Sequence, residues 1–355
     1  MKQASSLRGA AVALLLVCGV ARAAAPAPSC DRACLEGFVD RYLDAVIVNQ
    51  PAQVPLSPNV RFTEDGQRLL IGDGLWNTMK GKGKYRVFVT DVPAGQVTFL
   101  GTIQEDHRDA DKFNGSLISL RLLVKDQRII EVEQIVFRFP NETGDAFNRT
   151  YNRVDAMATH PKYLTAVPAN ERMSRAELIT QGNKYFSGMQ KNDGKGDYPF
   201  GAECVRHENG GQSTSAPTPA GQTKPDPKTA MTYSGQWSCL EQFQSGLLHF
   251  VNRIRDRRFV AVDQERGIVF AFGFFDHSGG ETRRFTVNGR EVVNGPVQPW
   301  SWQIAEIFKL EKGLITKIDA FLQRSPYGMN SGWSTWEQGM SDQARDVTME
   351  APTGI

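Results

Sequence analysis

The residues with the clearest potential for chemistry are four consecutive polar residues, Arg206, His207, Glu208 and Asn209, at a predicted strand end. Because side chains alternate along a strand, Arg206 and Glu208 share one face, and His207 and Asn209 share the other. In a pocket, Arg206 could hold an anionic oxygen with two hydrogen bonds while Glu208 exchanges a proton. The alternative is structural: Glu208 and Asn209 form a turn, and Arg206 pairs with Glu208 as a strut.

A second candidate pair is Asp276 and His277, which ends the apolar run 267–275. Such a run is typical of a buried strand, and an adjacent carboxylate favours a protonated imidazole. The pair could therefore shuttle protons at the mouth of that strand. A hairpin turn is the alternative, because Ser-Gly-Gly follows at once. The two side chains also point to opposite faces if the strand continues.

Aromatic residues surround these candidates. Trp300 and Trp302 lie on one face of a predicted strand, and Tyr327 lies in a turn that could present its hydroxyl to a ligand. Such a lining favours a flat apolar or aromatic ligand. We include Trp300, Trp302, Tyr327 and Asn209 among the predicted substrate contacts.

The first half of the chain offers fewer candidates. Tyr42, Trp76 and Glu133 are predicted to contact the substrate if that half forms a pocket. Glu131 and Glu133 share one face of a strand, and two inward carboxylates would be costly unless paired or protonated. Exposure of that face to solvent is therefore favoured over a carboxylate pair. His107 lies in a charged run and is predicted to occupy an exposed turn.

The first 23 residues indicate a secretory signal peptide: a basic start, the apolar run Ala10–Val20 and the cleavage motif Ala21–Ala23. That run is about half the ~20 residues that a spanning helix needs, so a retained membrane anchor is the weaker interpretation. Cleavage would leave 38 basic and 39 acidic residues. This balance argues against nucleic acid as a partner. The signal peptide predicts a periplasmic or secreted protein.

Cleavage would leave four cysteines, an even number that predicts two disulfides in an exported protein. Of the three connectivities, we favour Cys30–Cys34, one helical turn apart, and Cys204–Cys239, which brackets a polar insertion. A metal site fits poorly, because no pair has the spacing Cys-x₂-Cys.

Three segments in the first half of the chain recur in the same order in the second half, which indicates a duplication. The matched segments are Asp31–Leu43 with Ser174–Phe186, Val60–Gln67 with Val205–Gln212, and Leu123–Arg138 with Lys309–Arg324. Helices come first in each unit and strands follow, which predicts an α+β fold with N-terminal helices on a curved antiparallel sheet. The predicted divisions are 1–23 signal peptide, 24–165 first unit, 174–336 second unit with insertions at 210–236 and 279–298, and 337–355 tail. Asn288-Gly289 predicts a two-residue hairpin turn in the second insertion.

The strand Val60–Gln67, the following segment Gly72–Trp76, and the second-unit segments Arg206–Gly210 and Pro326–Trp333 resemble the SnoaL-like group. That group has the nuclear-transport-factor-two-like cone fold. The resemblance implies two tandem cones, each with an apolar pocket at its wide end. Members include cofactor-independent isomerases, cyclases, hydrolases, dehydratases and lyases, and also pure binding modules, so the fold alone does not specify the chemistry.

The function predicted from these observations is that of a cofactor-independent lyase or isomerase. It would use acid–base chemistry on a hydrophobic, aromatic or polyketide-like small molecule, with Arg206, His207, Glu208, Asp276 and His277 as the catalytic candidates. The alternatives are a non-catalytic exported binding module and a hydrolase. The sequence has no Gly-rich phosphate loop, Gly-x-Ser-x-Gly motif or His-Glu-x-x-His motif, so we expect neither a cofactor nor a metal. The sequence does not specify the oligomeric state, and a homodimer is among the states it allows.

Overall fold

The computed structural model describes residues 30–348; the predicted signal peptide and residues 349–355 lie outside the described residues. The helices are α1 Arg32–Ile47, α2 Arg149–Asp155, α3 Pro161–Leu164, α4 Arg175–Met189, α5 Cys239–Gln244 and α6 Trp336–Met340. The first eight strands are β1 Leu56–Glu64, β2 Gln67–Arg68, β3 Met79–Asp91, β4 Gln96–Glu105, β5 Asn114–Lys125, β6 Arg128–Phe137, β7 Phe200–Glu208 and β8 Gly211–Gln212. The others are β9 Arg253–Asp263, β10 Ile268–His277, β11 Arg284–Val287, β12 Arg290–Val293, β13 Trp300–Glu311, β14 Leu314–Ser325 and β15 Arg345–Asp346.

Two large sheets dominate this α+β structure. The first has the strand order β2-β1-β6-β5-β4-β3, and the second has the order β8-β7-β14-β13-β10-β9-β15. In both sheets one long strand pair is parallel, β1 with β6 and β7 with β14, and the long strands that follow pair antiparallel. The short edge strand β15 pairs parallel with β9. The six neighbouring strands β8-β7-β14-β13-β10-β9 of the second sheet therefore repeat the strand order of the first sheet, with parallel and antiparallel pairs at the same places.

A long helix precedes each sheet and begins at a predicted N-cap. The Asp31 carboxylate accepts a hydrogen bond from Cys34 N, and Ser174 forms a reciprocal capping box with Glu177. Helix α1 packs against β3, β4 and β5, and α4 packs against β9, β10, β13 and β14. Each helix thus covers one face of its own sheet.

The opposite faces of the two sheets pack together. Their shared core contains Tyr85, Val87, Leu117 and Phe137 from the first sheet and Val260, Phe270, Ile307 and Phe321 from the second. Glu133 lies in this interface, where its carboxylate accepts hydrogen bonds from Arg121 at 3.1 Å and from Arg258 at 2.6 Å. The predicted solvent exposure of the Glu133 face is therefore wrong, because two arginines compensate the buried carboxylate.

Both predicted disulfides are confirmed. Cys30 and Cys34 are joined with Cα atoms 5.2 Å apart, and Cys204 and Cys239 with Cα atoms 5.9 Å apart. The second disulfide holds α5 against β7. Residues 213–238, which connect β8 to α5, contain no helix or strand, as the composition of the first insertion predicts.

The second insertion forms the predicted hairpin of β11 and β12, with positive φ at Asn288 and Gly289. Helix α5 ends at Gln244, two residues before Gly246. Gly246 has φ +69°, and a Cβ there would lie 2.1 Å from Val287 Cγ2. The chain leaves the helix at this glycine so that the hairpin can pack closely against it.

The sequence alignment that paired Thr63 with Glu208 is wrong by one residue. β1 ends at Glu64 and β7 ends at Glu208, and a tight turn follows each strand. The first residue of each turn has a positive φ, 51° at Asp65 and 45° at Asn209, and a glycine follows it. Because the two turns match, Glu64 and Glu208 occupy matching positions.

The later alignment agrees with the structure. The β5–β6 hairpin closes with Lys125 opposite Arg128, and the β13–β14 hairpin closes with Glu311 opposite Leu314. Each residue of β5 and β6 therefore has a matching position in β13 and β14.

Candidate functional site

A cavity of about 130 Å³ lies between α4 and the second sheet. Nine of its fifteen lining residues are apolar, and α4, β7, β10, β13 and β14 contribute side chains to the lining. The first insertion contributes Tyr233 at the rim, stacked on Phe250 with ring centroids 6.0 Å apart. The polar side chains in the lining are Tyr185, Arg206, Glu208, His277 and Glu306 together with Tyr233.

Arg206 and Glu208 both line this cavity, as strand alternation predicts. The buried Arg206 guanidinium donates to Ser213 Oγ at 2.9 Å, to the Tyr185 hydroxyl at 3.2 Å and to Gln242 Oε1. Glu208 Oε1 lies 3.4 Å from Arg206 Nε. Burial acts to lower the pKa of Arg206, but Glu208, Tyr185 and Glu306 together outweigh burial and raise the pKa, so the guanidinium remains charged. In this arrangement Arg206 is not free to hold a ligand anion with two hydrogen bonds, because its guanidinium already donates to three side chains.

Glu306 is a site residue that the sequence reasoning missed. It lies on β13 opposite Ala320 of β14, which in turn pairs with Glu208 of β7. Its side chain is 1% exposed, and Oε2 has no hydrogen-bond partner among the described residues. Burial raises the pKa of Glu306 to about 8; Glu208 adds to this rise, while Arg206 and a hydrogen bond from Tyr185 oppose it. The face-sharing argument that placed Trp300 and Trp302 together would have placed Glu306 on the same face.

The predicted Asp276–His277 dyad is wrong. His277 faces the cavity and stacks on Trp300, with ring centroids 4.2 Å apart. Asp276 faces the other way, where Arg253 and Arg255 donate to Oδ2 and Ser301 donates to Oδ1. Burial lowers the pKa of His277 to about 4, so the imidazole is neutral at physiological pH and its Nδ1 has no partner within the described chain.

His207 and Asn209 point away from the cavity. His207 Nδ1 lies 2.9 Å from Lys317 Nζ and 3.5 Å from Asp319 Oδ1. The Asn209 amide bonds to both backbone groups of Leu322, which fixes the turn after β7. The structure therefore does not bring either residue to the predicted substrate or catalytic position.

The predicted aromatic lining is brought together in part. Trp302 lines the cavity, and Trp300 packs edge-on against it with ring centroids 4.5 Å apart. Tyr327 is 43% exposed, and its hydroxyl lies 3.1 Å from Ser278 Oγ. Tyr327 is not among the lining residues, because its turn lies beyond the end of β14.

In the first unit, Tyr42 and Trp76 belong to the core. Their rings meet edge to face at 5.4 Å, and the Tyr42 hydroxyl donates to Gln134 Oε1 at 2.9 Å. A wider cavity of about 740 Å³ lies at the open end of this sheet, and Glu105, Arg138 and His107 are among its lining residues. The Glu105 carboxylate there accepts hydrogen bonds from Thr78, Ser116 and Arg138, so its hydrogen-bonding capacity is already used.

The described residues contain no group of three or more His, Cys, Asp or Glu side chains arranged to hold a metal ion. Within residues 30–348, no helix has both the length and the apolar character required to cross a membrane.

A family model described as a domain of unknown function, DUF8021, matches residues 171–322. Among curated proteins, none is significantly similar to this chain. The AclR protein of Streptomyces galilaeus is similar in structure over 30% of this chain and 76% of its own, with 9% sequence identity and a TM-score of 0.25. An NTF2-like protein of Burkholderia thailandensis is similar over 29% of this chain and 89% of its own, with 17% identity and a TM-score of 0.23.

Proposed function

We propose that the cavity of the second sheet binds a small, mainly apolar molecule and that Glu306 transfers a proton on it without a cofactor, as in an isomerase or lyase. The observation that carries this proposal is the Glu306 carboxyl group, which is buried in the cavity with Oε2 unpaired among the described residues. Burying such a group without a partner is costly for folding, so a role in binding or chemistry accounts for it best.

The surroundings of Glu306 suit proton exchange near neutral pH. A carboxyl group with a pKa of about 8 is populated in both protonation states there, so it can take a proton and return it. The ionised form would remove a proton from a carbon next to a carbonyl, and the C–H electron pair would become an enolate. Return of the proton to another carbon would complete an isomerisation; loss of a leaving group would complete an elimination.

Arg206 and Tyr185 would support the ionised state. Arg206 donates a hydrogen bond to the Tyr185 hydroxyl, and both residues act to lower the pKa of Glu306, which favours its carboxylate form. Because the Arg206 and Tyr185 side chains are buried, these fixed donors act with little competition from bulk water. Arg206 is thus proposed as a positioning and electrostatic residue, and Glu306 takes the acid–base role that the sequence assigned to Glu208.

A non-catalytic binding module is the second candidate, and the engaged state of Arg206 favours it. Ser213, Tyr185 and Gln242 hold the guanidinium in place, as would suit a rigid binding wall. A hydrolase with a covalent intermediate has less support, because no Ser, Thr or Cys is among the described residues that line the cavity.

We propose further that the chain is exported and consists of two SnoaL-like cone units, 24–165 and 174–336. The repeated strand order supports the duplication. The two disulfides support an oxidising compartment, either the periplasm or the extracellular space.

Hydrogen–deuterium exchange at carbon tests the proposed chemistry without knowledge of the natural substrate. The protein is incubated in D₂O with small cyclic ketones whose binding is first measured by NMR titration, and loss of the α-proton signals is followed. We expect faster exchange than in buffer, and loss of this acceleration in Glu306→Gln. Glu203→Gln is the matched control, because Glu203 is an exposed carboxylate on the same strand as Glu208.

If ketones bind but exchange no faster than in buffer, the binding-module alternative is correct. If Glu203→Gln loses as much activity as Glu306→Gln, the acid–base role of Glu306 is wrong.

A further inference from the structure

We infer that the substrate of this cavity is an uncharged molecule the size of a single six-membered ring, with an oxygen that pairs with Glu306 Oε2 or His277 Nδ1. The inference rests on the proposed function in taking the ligand of this cavity as the substrate. It narrows the aromatic or polyketide-like class predicted from the sequence.

The size follows from the cavity volume. The space measures about 130 Å³, whereas pockets for drug-sized ligands occupy roughly 300–1,000 Å³. An engineered apolar cavity of about 150 Å³ in another protein binds benzene, so this cavity holds about one ring. A fused multi-ring polyketide exceeds that volume.

The absence of charge on the ligand follows from the charges already in the cavity. The Arg206 cation is balanced by the Glu208 carboxylate at 3.4 Å. Glu306 retains its proton over most of the neutral range, and His277 is uncharged. An anionic or cationic ligand would therefore bring an uncompensated charge into a buried space, at a large desolvation cost.

The need for an oxygen follows from the two unpaired atoms. Glu306 Oε2 and His277 Nδ1 are both buried and lack partners among residues 30–348, and both residues line the cavity. A hydrocarbon would displace water from these atoms and leave them unsatisfied, whereas a carbonyl or hydroxyl group would pair with one of them. The flat walls of Trp302 and Phe275 suit the rest of the ring.

Binding of small probes to the full chain tests each part of this inference. Dissociation constants are measured by NMR for cyclohexanone, phenol, benzene, benzoate, cyclohexylammonium and the two-ring ketone 2-tetralone. We expect cyclohexanone and phenol to bind at least about tenfold more tightly than benzene and than either ion. The Trp302 indole signal should shift on binding. The Trp333 indole, packed between Arg61 and Arg121, serves as the control signal.

A variant provides a second readout. Glu306→Leu introduces the residue that the first sheet has at the matching position, Leu120, and should reverse the preference from cyclohexanone to benzene. Its unfolding transition is measured in parallel to show that it folds. If it does not fold, the dissociation constants of the wild type for the six probes decide the inference on their own.

The outcomes separate this inference from the proposed function. Tighter binding of benzoate or cyclohexylammonium would overturn the uncharged class, and tighter binding of 2-tetralone would overturn the size, even if proton exchange occurs. Failure of every neutral ring to bind would also overturn the inference. Cyclohexanone that binds as expected but shows no α-proton exchange would overturn the proposed function and leave the ligand class intact.

Discussion

The two large sheets share a strand order but differ at matching interior positions. Leu120 on β5 matches Glu306 on β13, and Phe62 on β1 matches Arg206 on β7. Both residues of the first sheet are fully buried hydrocarbons, whereas both residues of the second are buried and ionisable. At these two positions the same scaffold therefore carries hydrocarbon side chains in one unit and ionisable side chains in the other.

The units also differ in how completely their interior polar groups are paired. In the first sheet, Tyr42 donates to Gln134, and Gln134 donates to Glu64 at 2.9 Å. The second sheet has Ala320 where the first has Gln134, so the long amide that fills this space is missing. Two differences therefore separate the second unit from the first: Ala320 stands in place of Gln134, and the Glu306 carboxyl group has an oxygen without a partner among the described residues. These differences are the reason that we propose the second unit for the chemistry.

Loss of proton transfer in Glu306→Gln is the largest expected effect. The substitution removes the exchangeable proton with little change in shape, and α-proton exchange of a bound ketone should fall about 10²–10⁴-fold. The measurement is the NMR exchange rate at saturating ketone. A larger loss in Glu133→Gln than in Glu306→Gln would place the chemistry in the first unit and invert the comparison.

Glu133→Gln should instead destabilise the interface between the two sheets. Glu133 accepts hydrogen bonds from Arg121 and Arg258, and its replacement removes the buried carboxylate that these two cations share. We expect the free energy of unfolding to fall by about 3–5 kcal/mol in denaturant titrations. Glu131→Gln is the control: Glu131 pairs with Arg121 at 2.8 Å and is more exposed than Glu133, so the loss should be under about 1 kcal/mol.

The pH dependence of stability tests the protonation state of Glu306. Burial raises its pKa to about 8 in the folded chain, above the ordinary value of 4.5. Between these pH values the folded chain keeps a proton that the unfolded chain has lost, so the free energy of unfolding falls as pH rises. Relative to Glu306→Gln, the wild type should lose about 2–5 kcal/mol between pH 5 and pH 8.5.

Other titrating groups are common to both proteins in that comparison. The ionisable side chains facing Glu306 from the other elements are Tyr185 on α4, Arg206 and Glu208 on β7, His277 on β10, and Tyr233 in the first insertion. His277 acts in the opposite sense at lower pH: burial lowers its pKa to about 4, so its contribution to stability is lost as pH falls below about 6.5. Parallel pH curves for wild type and Glu306→Gln would show that Glu306 is already ionised in the folded state.

Local patterns predicted much of the fold and half of the site. Alternation placed Arg206 and Glu208 together, and the spacing of the cysteines gave both disulfides. The prediction for Asp276 failed because its partners, Arg253, Arg255 and Ser301, come from neighbouring strands whose pairing the sequence does not reveal. Contacts of this kind depend on strand register rather than on neighbours in sequence.

The alignment error between the two units has a similar physical cause. The shared Val-Arg pair suggested one register, but backbone geometry selects another. Asp65 and Asn209 adopt left-handed conformations before a glycine, and such a turn fixes where a strand ends. Aligning the Asx-Gly turns would have matched Glu64 with Glu208.

The smallest expected effects come from that matched pair of glutamates. Glu64 is buried and accepts hydrogen bonds from Leu75 N at 2.7 Å and from Gln134. Glu64→Gln should therefore lower the free energy of unfolding by about 1–3 kcal/mol, without loss of α-proton exchange. Glu208 is 36% exposed at the cavity rim, so Glu208→Gln should change stability by less than about 1 kcal/mol.

The activity of Glu208→Gln decides between two assignments of the acid–base residue. Glu208 raises the pKa of Glu306, so its removal should shift the pH profile of exchange to lower pH and reduce the rate at most about tenfold. If Glu208 itself exchanges the proton, as the sequence alone predicts, the rate should fall about 10²–10⁴-fold and no shift of the remaining profile should follow. A profile of Glu208→Gln that keeps its amplitude but moves to lower pH assigns Glu208 to tuning and Glu306 to proton transfer.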